Sequence, residues 1–251
     1  MSETVKPQLT QSLRQLRLPA FVENYGPHAV LAANEGMSYE KYLLALSQLE
    51  LGQRKNRKVQ RLLHDSHLPL EKTFSSFDRT RLPLPVVRRL EILLEEDFLS
   101  NRENVLVFGN PGSGKTHLLC ATGHELVQKE KAVFFCTCSL LVQRLLRAKA
   151  ELRLEKELKR LDKFDAVIID DIGYVQHDQG EMEVLFTLLA HRYEHRSLMI
   201  TSNLPFSKWE KIFKDPMTTA AAIDRLVHHS IILELNLPSF RMDAAKKSKK
   251  K

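Results

Sequence analysis

Gly109-Asn110-Pro111-Gly112-Ser113-Gly114-Lys115-Thr116 fits the pattern G-x-x-x-x-G-K-[ST] at every fixed position. Its surroundings suit it. Val105-Leu106-Val107-Phe108 reads as a short buried strand, and residues 117–129 as the helix that follows. Glycines let the backbone turn tightly, so that successive N–H groups point inward and form a nest for anionic phosphate. The helix then starts beneath the phosphates and adds its positive dipole end. Gly109, Asn110, Pro111, Gly112, Ser113, Gly114, Lys115, Thr116 and His117 are thus the expected nucleotide-binding set. Lys115 is placed to reach the β- and γ-phosphates, and the Thr116 hydroxyl to ligate Mg²⁺. The stretch implies binding of a nucleoside triphosphate.

Working toward the C-terminus, residues 132–137 read as a second strand. Residues 139–161 read as a long helix or helix pair carrying Arg144, Arg147, Lys149, Arg153, Lys156, Lys159 and Arg160. Ala166-Val167-Ile168-Ile169 then forms a buried strand ending in Asp170-Asp171. A carboxylate at the end of a parallel strand beside the phosphate loop holds Mg²⁺, usually through water. Asp170 is assigned to that shell, and Asp171 to orienting or deprotonating the attacking water. Residues 181–194 are the next helix. Residues 198–203 form a strand whose last polar group, Asn203, is set to bond the γ-phosphate or the lytic water. Residues 229–235 form the last strand. Strands and helices alternating at this length imply an α/β fold with a parallel sheet and helices on both faces. The chemistry then belongs at the carboxyl ends of the strands.

Toward the N-terminus the pattern turns helical over residues 8–71. Leu13, Leu16 and Leu18 begin a short helix that stops near Pro19. Phe21 to Tyr25 continue toward Gly26 as a C-cap, and Ser38 is an N-cap for the next helix. Arg54, Lys55, Arg57, Lys58 and Arg61 follow with no acid among them. Four of these (Arg54, Arg57, Lys58, Arg61) share one helical face. Like charges so close cost a few tenths of a kcal/mol per pair, which a phosphate backbone would offset. The face is therefore read as a DNA contact. Pro69, Pro83 and Pro85, with Phe74 and Phe77 between, read as a linker into the second domain. The expected domains are residues 1–70, helical and DNA-binding; 71–240, nucleotide-binding; and 241–251, a basic, disordered low-complexity tail.

The whole chain agrees. Its 251 residues carry a formal net charge of +7, more than a nucleotide site requires, and this tilts toward a polyanionic partner. No apolar run is long enough to span a bilayer, and residues 1–9 lack the apolar stretch of a signal peptide. Cys120, Cys136 and Cys138 are odd in number and lie in core-like segments. They read as reduced thiols of a cytoplasmic protein.

Several segments together resemble the AAA+ ATPases of the DnaA/DnaC branch, and within it the IstB-type helper ATPases of bacterial insertion sequences. They are Val107 to Thr116, Ile169-Asp170-Asp171-Ile172-Gly173-Tyr174, Arg192-Tyr193-Glu194, Thr201-Ser202-Asn203-Leu204-Pro205-Phe206 with Trp209, and Asp224-Arg225-Leu226. Lys72 to Asp78 is similar to the family's entry into the ATPase domain. The resemblance implies an AAA+ core preceded by a small all-α domain, with ATP and Mg²⁺ as ligands. It also implies assembly of copies on double-stranded DNA and action on a partner transposase. By the same resemblance Asn203 is sensor 1, and Arg225 is an arginine finger reaching a neighbour's γ-phosphate. Arg144, Arg147, Lys149, Arg153 and Lys156 then fall in the region this branch uses to grip DNA. Asp171 stands where most AAA+ proteins carry Glu, which implies a slow, switch-like ATPase. Too few residues follow Leu235 for a helical lid. Two other functions stay open at the level of sequence: a replicative helicase loader and a small-molecule P-loop kinase.

Overall fold

The computed structural model describes residues 5–173, 178–213 and 215–240. The expected basic tail and Tyr174 lie outside the described residues. The chain divides into two compact units, residues 1–61 and 62–251.

The first unit holds α1 (Val5–Gln15), α2 (Pro19–Asn34) and most of α3 (Tyr39–Ser66), which runs on past the division. Pro19 opens α2, where a missing N–H costs nothing. That helix does not stop at Gly26, as expected, but continues through Gly26 and Pro27 to Asn34. The Asn24 side chain donates to the Ala20 carbonyl at 2.8 Å, and the His28 ring lies 3.2 Å from the Asn24 carbonyl, bracing the turns around the proline. Ser38 caps α3 as expected, its hydroxyl accepting from the Lys41 amide. Buried Glu50 ties the unit together by accepting from the Ala20 amide at 2.9 Å and from Arg54 at 2.7 Å. Burial works to raise the Glu50 carboxyl, yet these bonds hold it below the usual range.

The second unit runs α4 (Leu84–Leu94), α5 (Asp97–Ser100), β1 (Asn104–Gly109), α6 (Lys115–Gln128) and β2 (Val133–Thr137). Next come α7 (Cys138–Ala150), α8 (Leu154–Leu161), β3 (Ala166–Asp170), α9 (Gln179–Arg192) and β4 (Ser197–Ser202). The unit ends with α10 (Glu210–Phe213), α11 (Pro216–Val227) and β5 (Ser230–Leu235). The five strands form one sheet in the order β2-β3-β4-β1-β5, and every pair is parallel. Parallel strands need both faces covered, which explains the apolar runs of β1, β3 and β4. Leu106, Val167, Ile169 and Ile200 share one buried cluster with Leu141, Leu145, Leu185 and Leu188 of α7 and α9. Residues 139–161 resolve into the helix pair α7 and α8, broken where Leu152 takes φ +54°.

In this order β4 lies between β3, which ends in Asp170, and β1, which leads into the phosphate loop. The carboxyl end of β4 therefore stands at the centre of the site. No described helix is long and apolar enough to cross a membrane.

Candidate active site

The phosphate loop bridges β1 and α6, as the pattern requires. Gly109, Gly112 and Gly114 have φ of +153°, +80° and +96°. Gly114 precedes α6 and offers no side-chain cap, so the first amides of the helix are left for an external anion. The loop is closed on itself. Lys115, only 6% exposed, donates to the carbonyls of Gly109 and Asn110, both at 2.9 Å, and the Ser113 amide donates to the Asn110 carbonyl at 3.2 Å. The Ser113 hydroxyl is buried and has no hydrogen-bond partner among the described residues. Pro111 is exposed at the mouth.

Four oxygen-bearing side chains meet at the strand ends. Thr116 Oγ1 donates to Asp170 Oδ1 at 2.7 Å, and Thr201 Oγ1 donates to the same oxygen at 2.6 Å. The Asp171 amide donates to Thr201 Oγ1 at 2.8 Å, and Asp171 itself holds φ +61°. Asn203 Oδ1 is buried without a partner among the described residues, and a β-carbon at Gly173 would lie 2.6 Å from it. A hydroxyl and a carboxylate already in contact are the hard oxygen donors that Mg²⁺ takes, so Thr116 and Asp170 fit that ion. Orphaned acceptors at Ser113 and Asn203 are what a polar ligand would satisfy.

Lys115, Thr116, Asp171 and Asn203 line one cavity of about 330 Å³ with Pro111, Gly112, Ser113 and Gly114. Its remaining wall was not foreseen as a site. Lys72, Ser76, Phe77, Asp78 and Arg81 come from the stretch read as a linker, and Leu237 and Phe240 follow the last strand. His117 faces this wall rather than the phosphate cradle. Its Nε2 lies 3.0 Å from the Thr73 carbonyl and 3.2 Å from Ser76 Oγ, and its ring meets Phe77 edge-on at 5.0 Å. The Phe240 amide donates to the Gly112 carbonyl at 2.9 Å, while Arg81 donates to the Pro238 carbonyl and stands 5.4 Å over the Phe240 ring. The chain after β5 thus straps the loop. An aromatic pair three residues apart ahead of a phosphate loop was the available signal for Phe77. Nothing in the pattern marked Phe240.

Arg225 does not line this cavity. It lies half-buried on α11, donating to the Ala221 carbonyl at 3.1 Å and standing 5.0 Å over Phe186. The remaining candidates are cationic surfaces. On α3, Arg54, Lys55, Arg57, Lys58 and Arg61 are all exposed, but Arg54 is occupied by Glu50 and the Arg17 carbonyl, and Arg57 bonds Gln53. On α7 and α8, a concavity of about 660 Å³ is lined by seven cations against Glu151 and Glu157. Arg144 pairs with Glu157, Lys149 with Glu183, and Arg153 with Glu151. Among the described residues Arg147 and Lys156 make no ion pair.

Comparison with known proteins places this geometry in a family. An insertion sequence ATP-binding protein of Sinorhizobium fredii is 41% identical over 239 residues, covering 95% of this chain and 80% of its own. The insertion sequence IS5376 ATP-binding protein of Geobacillus stearothermophilus is 37% identical, with 95% of each chain covered. That of insertion sequence IS21 from Pseudomonas aeruginosa is 36% identical over 86% of this chain and 82% of its own. Among solved structures, AMPPCP-bound DnaA from Aquifex aeolicus superposes with a TM-score of 0.57 at 18% identity. It covers 74% of this chain, which spans 56% of that one. The DnaC helicase loader gives 0.55 at 16% identity, over 66% of this chain and 98% of its own. These likenesses establish the AAA+ fold of the DnaA/DnaC branch. A family model described as IstB-like ATP binding protein matches residues 11–249, and the chain belongs to that family.

Proposed function

We propose that this chain is an ATPase that binds duplex DNA, assembles with copies of itself there, and assists a transposase. The observation that carries the chemistry is the contact of Thr116 with Asp170 beside a cavity that Lys115, Thr116, Asp171 and Asn203 line together. Bound Mg²⁺ would neutralise charge on the β- and γ-phosphates. Lys115 would leave the Gly109 and Asn110 carbonyls to meet the phosphates, and the first amides of α6 would complete the cradle. Asp171 and Asn203, which line the same cavity as the loop, would orient the attacking water. The shorter carboxylate at 171 supports slow turnover. Phe77, Arg81, Leu237 and Phe240 would take the base.

Arg225 has no role toward a nucleotide in its own chain, which supports a site completed by a neighbouring copy. DNA contact is assigned to the exposed cations of α3 and to the basic concavity of α7 and α8. The relatives' association with insertion sequences supports a transposase, rather than a helicase, as the partner.

Light scattering after size exclusion tests the reading, with and without duplex DNA, in ATP, ADP and no nucleotide. Large assemblies that need both ATP and DNA, and that Arg225→Ala fails to form while still binding ATP, are the expected result. A monomer indifferent to DNA in every nucleotide state would overturn the assembly reading and favour a small-molecule kinase.

A further inference from the structure

The ladder between β3 and β4 ends at the pair Ile169 and Ile200, just short of the residues that carry the site. Thr201 takes over there. Its carbonyl accepts from the Ile172 amide at 3.1 Å, and its hydroxyl accepts from the Asp171 amide at 2.8 Å. The same hydroxyl spends its proton on Asp170 Oδ1 at 2.6 Å. Thr201 is fully buried. Thr201 therefore grips three consecutive residues at the point where the chain leaves the sheet, two through its hydroxyl and one through its carbonyl.

The grip matters because of what it holds. Asp171 sits at φ +61°, a left-handed conformation that costs a non-glycine residue about 1 kcal/mol or more. Such a conformation persists only when its surroundings fix it. Asp170 Oδ1 receives two hydroxyls, and they differ in kind. Thr116 belongs to the phosphate loop, and its oxygen is a ligand for the cation. Thr201 lies in β4, paired with Val107 of β1, and cannot shift without breaking the sheet.

We propose that Thr201 is a positioning residue of the ATPase site. It locks the Asp170 carboxylate and the left-handed Asp171 backbone as one unit, so that the cation-holding and water-orienting carboxylates keep a fixed separation. The inference rests on the ATPase reading above. Thr201→Val keeps the shape but removes the donor to Asp170 and the acceptor of the Asp171 amide. Serine keeps the hydroxyl and loses only a methyl group.

Thr201→Val and Thr201→Ser are compared with the wild type, using Lys115→Ala as a binding-defective control. Four quantities are read: affinity for a fluorescent ADP analogue in EDTA, the Mg²⁺ concentration at half-maximal affinity for the ATP analogue, kcat against KM, and the thermal midpoint. For Thr201→Val, affinity in EDTA stays within about twofold, the Mg²⁺ midpoint rises roughly fivefold, and kcat falls about thirtyfold with little change in KM. Thr201→Ser returns kcat to within about threefold of wild type at the same KM. Wild-type kcat and Mg²⁺ dependence in Thr201→Val would overturn the proposal while leaving the ATPase reading intact. Loss of affinity in EDTA together with the thermal midpoint, in both variants, would make Thr201 merely structural and overturn it as well. A wild-type chain that neither binds nor hydrolyses ATP would sink the ATPase reading, and this proposal with it.

Discussion

Arg192 shows how one residue can carry a family signature for structural reasons. Its segment, Arg192-Tyr193-Glu194, helped to mark the resemblance, yet the side chain is 1% exposed and far from any ligand role. The guanidinium donates to the carbonyls of Leu161 at 2.9 Å, Phe164 at 3.2 Å and Ser197 at 3.0 Å, with Asp162 at 3.9 Å. It thus pins the ends of α8 and α9 to the start of β4. Burial pushes it down to about 10, so it stays cationic at neutral pH. Arg192→Met takes a donor from three carbonyls and the guanidinium charge from beside Asp162, a cost of about 3 kcal/mol. The thermal midpoint of the second unit is expected to fall by roughly 6–12 °C. Calorimetry checks this, and an unchanged midpoint would contradict the pinning role.

At the scale of elements, the nucleotide cavity is built as much by what flanks the phosphate loop as by the loop itself. The Phe77 ring lies 3.2 Å from where a β-carbon on Gly114 would stand, so the glycine is needed both for its φ of +96° and for this ring. Phe77 also meets Phe74 and His117 edge-on, which locks residues 73–77 against the first turn of α6. Phe77→Ala removes a wall of the cavity and the clamp on that turn. The expected result is about tenfold weaker binding of a fluorescent ATP analogue, or about 1.4 kcal/mol, at an unchanged fold. Fluorescence titration with circular dichroism as control measures it. Wild-type affinity would remove Phe77 from the site.

For the whole molecule, the excess of positive charge is the property to test. The concavity on α7 and α8 concentrates it, but several of its cations are already paired with Glu151, Glu155 and Glu157. Arg147 and Lys156 are therefore the pair whose loss should be felt. In Arg147→Ala/Lys156→Ala, the slope of log K against log salt for duplex DNA should become shallower by roughly 2, as expected for two lost phosphate contacts. ATP binding should be unaffected. Anisotropy titrations at several salt concentrations give the slope, and an unchanged value would move the DNA contact elsewhere, α3 first.

Much of this was legible beforehand because it is local. The G-x-x-x-x-G-K-T run, the apolar strand ending in Asp170-Asp171, and the alternation of strands and helices each depend on neighbours in the chain, so sequence alone determined the fold class and pointed to the candidate site. Tertiary structure decided what depends on contacts distant in sequence. Strand order put β4 between the loop strand and the Asp strand, which turned Thr201 from an ordinary strand residue into the partner of Asp170 and Asp171. Residues 72–81 and 237–240 became walls of one cavity, although more than 150 positions separate Arg81 from Pro238. The expected Gly26 cap is overrun, because α2 continues to Asn34 and is braced from α3 by the Tyr42 hydroxyl donating to the Tyr25 carbonyl, a contact distant in sequence. Periodicity reports which face of an element is apolar. Which element that face meets is set only by packing.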